Sequence, residues 1–91
     1  MDSHEKINTL RKIIDDYDDQ ILDLLIKRFS VSTEIGVIKT ANGLEIGDPN
    51  REQEIINRLS KKLKGKLNKD DIAAIFSQVY QISKKIQIKE S

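Results

Sequence analysis

Apolar residues recur at alternating steps of three and four from Ile7 onward: Ile7, Leu10, Ile14, Tyr17, Ile21 and Leu24, then Val31, Ile35 and Ile38. A spacing that averages 3.5 residues returns to one face of an α-helix at every second turn, so the run predicts a single amphipathic helix with a coiled-coil-like seam. Neither Pro nor Gly interrupts it before Gly36, and Asn42 with Gly43 supplies the stop, which places the helix over about 7–40. At 1.5 Å per residue this is a rod of about 50 Å, against the roughly 30 Å span of a compact small domain. A monomer of 91 residues cannot cover such a seam. The pattern therefore calls for a second copy.

The rest of the chain supplies two shorter helices. Asp48 is a good N-cap with Pro49 at the first helical position, and Ile55, Ile56, Leu59 and Leu63 form the apolar stripe of a helix that ends before Gly65. Asn68 caps a third helix. Asp70 and Asp71 favour its first turn, and Ile72, Ile75, Phe76, Val79, Ile82 and Ile86 make its expected inner stripe. Ile88 to Ser91 are expected to fray, and His4 to lie in a disordered end. The expected fold is all-α: three helices per chain, one long and two shorter, in an intertwined antiparallel homodimeric bundle. One domain spans residues 1–91, with an ordered core of about 5–88.

Charge and residue usage exclude several functions. Sixteen basic against fifteen acidic side chains leave a net charge of +1, too little for a long-range field that gathers nucleic acid or an anionic membrane. The lysines at 61, 62, 64 and 66 cluster at one helix end but stand among acids, without interleaved aromatics. With no cysteine, no disulfide or thiol nucleophile is available, which fits a reducing compartment. No membrane span and no apolar leader segment occurs, so a soluble cytoplasmic protein is expected. Asp15, Asp16, Asp18 and Asp19 form a solvated helix face with no His or Cys nearby, so no metal site is expected. Ser30 and Ser32 have no histidine to activate them, and no Gly-rich phosphate loop is present.

The polar residues inside the pattern carry the chemical information. Arg28 occupies a seam position where Ile, Leu and Val fall elsewhere, and burial of an unpaired guanidinium is prohibitive. Either it pairs with an acid such as Asp23 or Glu52, or it binds an external anion, its planar fork matching a carboxylate. Lys39 lies eleven residues on, within about 20° of the same helical face, so both cations can serve one cavity; the alternative for Lys39 is a solvated cation at a helix C-terminus. Arg11 is about 25 Å from Arg28 along the axis, too far to share a small ligand within one chain, but close in an antiparallel pair. Asp48 and Glu52, four apart, either complement the helix dipole or line a site. Ser83 and Gln87, also four apart, are either satisfied core groups or directed donors.

These positions coincide with a family pattern. Residues 10–28, LRKIIDDYDDQILDLLIKR, resemble the opening of the all-helical chorismate mutases: Leu-Arg, then Ile-Asp, an acidic turn, Leu-Leu and Arg. Lys39 follows at the family's distance. DPNRE, residues 48–52, matches its Asp-x-x-Arg-Glu, and IFSQVYQISKKIQ ends with Ser83 and Gln87 in the spacing of its last active-site pair. The similarity runs from about Ile7 to Gln87; Tyr17 departs from the usual aliphatic residue, and the loop from Asn42 to Gly47 carries two glycines.

The resemblance implies an isomerase that converts chorismate to prephenate in aromatic amino acid biosynthesis, without cofactor or metal. It implies that Arg28 and the other subunit's Arg11 hold the substrate carboxylates, with Ser83 assisting. Lys39 and Gln87 would donate to the ether oxygen, Glu52 would accept from the ring hydroxyl with Asp48 beside it, and Arg51 would sit close by. Two alternatives remain at this point: an isochorismate-pyruvate lyase on the same fold, and a non-catalytic helical dimerisation module.

Overall fold

The computed structural model describes residues 2–90 and consists of three helices, α1 (Ser3–Ala41), α2 (Pro49–Lys62) and α3 (Lys69–Glu90). Helix α1 begins before the apolar pattern does. The Asp2 carboxylate accepts from the Glu5 amide at 2.8 Å and caps the first turn, a polar signal that a hydrophobic periodicity does not register. His4, expected in a disordered end, is thereby helical. Helix α3 likewise continues through Ile88 to Glu90, where fraying was expected; Ser91 lies outside the described residues.

The chain divides into two units, one ending at Ser30 and the other beginning at Val31, with α1 contributing to both. The first unit is helical throughout from Ser3, and its seam residues from Ile7 to Leu24 are 45% to 65% exposed. Among its described residues none is fully buried.

The second unit holds the core. Asp48 caps α2 by accepting from the Arg51 amide at 3.1 Å, with Pro49 in the first turn, where its missing N–H costs nothing. Gly65, at φ 83°, closes the turn after α2, and Asn68 caps α3 by accepting from the Asp71 amide at 2.8 Å. Gly43, at φ 67°, follows α1, and the Leu44 amide returns to the Lys39 carbonyl at 2.8 Å. Helices α2 and α3 pack around Ile55, Ile72, Val79 and Tyr80, with Ile72 only 1% exposed. The Tyr80 hydroxyl donates to the Glu52 carbonyl at 3.1 Å and pins the start of α2 to the middle of α3. The ring of Phe76 lies tilted against that of Tyr80, centroids 5.8 Å apart.

The inner stripe of α3 differs from the expected one. Ile75 and Ile82 are 53% and 42% exposed, while Tyr80, Ser83 and Gln87 are buried. At about 100° per residue the six apolar positions span about 120°, an ordinary stripe, but the buried face is turned from it toward Tyr80, Ser83 and Gln87, with Ile72 and Val79 common to both. Ile75 and Ile82 form a second, open row on the flank.

Candidate active site

The end of α3 places two buried polar side chains one turn apart. Gln87 donates through Nε2 to Ser83 Oγ at 3.1 Å, and both side chains are buried. Burial follows from Gly36 on α1: a Cβ there would lie 3.0 Å from Gln87 Cγ and 3.1 Å from its Cβ. A larger residue there would press on the Gln87 stem and shift it by a few tenths of an ångström. Within a helix interior glycine costs about 1 kcal/mol relative to alanine, so the close approach is the compensating feature.

Lys39 stands in the last turn of α1, half-buried, and its ammonium donates to the Ile46 carbonyl at 3.3 Å. It therefore reaches over the loop between α1 and α2 and is not a freely solvated cation. Glu52, half-buried in the first turn of α2, holds Lys84 of α3 with 2.9 Å between Oε2 and Nζ. Asp48 directs its carboxylate to its own helix cap. Arg51 is exposed and pairs with Glu54 at 3.6 Å, on the outer side of α2.

Six of the eight expected site residues, Lys39, Asp48, Arg51, Glu52, Ser83 and Gln87, thus belong to the second unit. Arg28, half-buried, and Arg11, exposed, belong to the first. A groove of about 450 Å³ between α2 and α3 is lined by Glu52, Tyr80 and Lys84 together with Pro49, Ile56 and Ser77. Lys39, Ser83 and Gln87 are not among the residues that line this groove. Sequence reasoning missed Lys84, Tyr80 as the clamp on Glu52, and Gly36 as the seat of Gln87. Only Gly36 left a signal, an isolated glycine inside a strong helical pattern. Among the described residues no three His, Cys, Asp or Glu side chains gather as a metal-binding group, and no helix is long and apolar enough to cross a membrane.

A neutral amide, a hydroxyl and a lysine, with no histidine or thiol beside them, suit a reaction without proton transfer or covalent intermediate. The sequence profile of chorismate mutase type II matches residues 10–88. The chain belongs to the chorismate mutase type II family. The match runs from the Leu-Arg of α1 to the last turns of α3 and includes all eight residues above. A chorismate mutase from Methanocaldococcus jannaschii is 40% identical over 60 residues, covering 66% of this chain and 61% of that protein. A bifunctional chorismate mutase/prephenate dehydratase from Aquifex aeolicus is 38% identical over 81% of this chain, which spans only 19% of the longer protein. Among solved structures, the chorismate mutase of Helicobacter pylori in complex with prephenate superposes with a TM-score of 0.88 at 35% identity, covering 94% of this chain and 93% of that one.

Proposed function

We propose that this chain is a chorismate mutase: one domain that, as a homodimer, converts chorismate to prephenate by a [3,3] rearrangement. In that reaction the ether carbon–oxygen bond breaks as the new carbon–carbon bond forms, and no proton is exchanged. Catalysis then consists of holding the flexible enolpyruvyl arm against the ring in a reactive chair and stabilising the ether oxygen as it gains negative charge. The observation that carries the reading is the buried Ser83–Gln87 pair at the seat made by Gly36, in a chain matched to the family over residues 10–88. A buried amide is a directed donor whose position is set before substrate arrives.

In this reading Lys39 exchanges the Ile46 carbonyl for the ether oxygen and Gln87 donates to the same atom. Arg28 and the partner's Arg11 bind the carboxylates, with Ser83 assisting. Glu52 accepts from the ring hydroxyl, Asp48 shapes the entry of α2 beside it, and Arg51 sits close by. The dimer is supported by the exposed apolar row of α1 and by the open row of Ile75 and Ile82 on α3, surfaces of a kind that a soluble monomer rarely leaves uncovered. The cytoplasm is the compartment we assign, on the cysteine-free composition.

Incubation of the purified chain with chorismate, followed by the loss of its absorbance and by product analysis, tests the proposal. Prephenate is the expected product. Release of pyruvate and salicylate from isochorismate without mutase turnover would favour a lyase, and no consumption of either would favour a helical dimerisation module.

A further inference from the structure

Glu52 is the one carboxylate assigned to touch the substrate, yet the substrate is a dianion. A bare carboxylate in that place would oppose binding. The structure supplies a counter-charge: Lys84, which directly follows Ser83 on α3, reaches across to α2 and contacts Glu52 Oε2 at 2.9 Å. Its stem runs along the loop entering α2, with Cε 3.6 Å from where a Cβ on Gly47 would lie. The Glu52 backbone is fixed independently by the Tyr80 hydroxyl. A lysine paired with an acid on its own helix would be ordinary surface chemistry. This pair joins two helices, and its acid side chain is only 26% exposed.

We propose that Lys84 is a positioning residue for the mutase reaction: it holds one oxygen of the Glu52 carboxylate, leaves the other to accept the ring hydroxyl, and offsets the Glu52 charge against a dianionic substrate. The inference rests on the chorismate mutase reading. Lys84 acts on substrate binding through Glu52, so its loss belongs in KM and not in kcat.

The test compares Lys84→Met, which keeps the stem and removes the charge, with Lys84→Arg, each in the wild-type and Glu52→Gln backgrounds. Chorismate kinetics and calorimetric binding of prephenate are measured on the full chain. Lys84→Met is expected to raise KM about tenfold with kcat within about twofold, and Lys84→Arg to recover most of the loss. In the Glu52→Gln background the same Lys84→Met step should cost clearly less prephenate affinity than in the wild type, because only the direct attraction of the Lys84 charge for the dianion is left and no carboxylate remains to be positioned. An unchanged KM in Lys84→Met, an equal loss with and without the Glu52 carboxylate, or loss of helical circular dichroism in Lys84→Met would each overturn the proposal. Failure of the underlying reading shows separately, as a wild-type chain that does not consume chorismate.

Discussion

Lys39 and Gln87 are assigned to the same oxygen, but the protein holds them differently. Gln87 is buried against Gly36 and Ser83, whereas Lys39 reaches across a loop to the Ile46 carbonyl. Removing a donor to a developing oxyanion costs roughly 3 kcal/mol of barrier, so Lys39→Ala should lower kcat about a hundredfold while circular dichroism stays that of the wild type. Near-normal turnover would remove Lys39 from the mechanism. Gln87→Glu tests the other donor, since a carboxyl group donates only when protonated: the variant should be active in acid and fail toward neutrality. Equal activity at pH 5 and pH 8 would contradict the role. At this scale the sequence was partly legible. Spacings of four picked out Ser83 with Gln87 and Asp48 with Glu52, because a helix puts such residues on one side. Nothing in the sequence paired Glu52 with Lys84, since that contact depends on how α2 and α3 pack.

The helices themselves were legible because three kinds of local signal agree: apolar period, caps such as Asp48 and Asn68, and stops such as Gly43 and Gly65. The start of α1 was read too late, at Ile7, because Asp2 acts through a hydrogen bond and contributes nothing to the apolar pattern. The contact face of α3 is turned away from the expected one, because periodicity reports that Ile75 and Ile82 are apolar but not which neighbour covers them. Gly36 gives a prediction specific to the packing of α1 on α3. Gly36→Ala gains about 1 kcal/mol of helix propensity and costs about 1–3 kcal/mol of overpacking against Gln87, so stability should fall by no more than about 2 kcal/mol. The displaced amide should nonetheless reduce kcat clearly. A Gly36→Ala variant with unchanged stability and full turnover would show that the position of Gln87 is not critical.

Taken whole, the chain carries more apolar surface than its own core uses. Leu10, Ile14, Tyr17, Ile21 and Leu24 are all more than half exposed, and a single core in a domain of this size supplies only a few kcal/mol of net stability. If two copies cover that surface, the melting temperature should rise with protein concentration, as it does for any assembly whose partner binds only the folded state. A melting temperature independent of concentration, with a monomeric mass in sedimentation, would count against it. The excess of seam over cover was the most legible feature of the sequence, whereas the pairing it implies is a relation between chains. The most direct test mixes two variants, Arg11→Ala and Arg28→Ala, each expected to be inactive alone. If each site takes Arg28 from one chain and Arg11 from its partner, random exchange makes about half the dimers mixed, each with one intact site, and restores about a quarter of the wild-type activity. Activity that stays at the level of the separate variants after exchange would contradict a site shared between two chains.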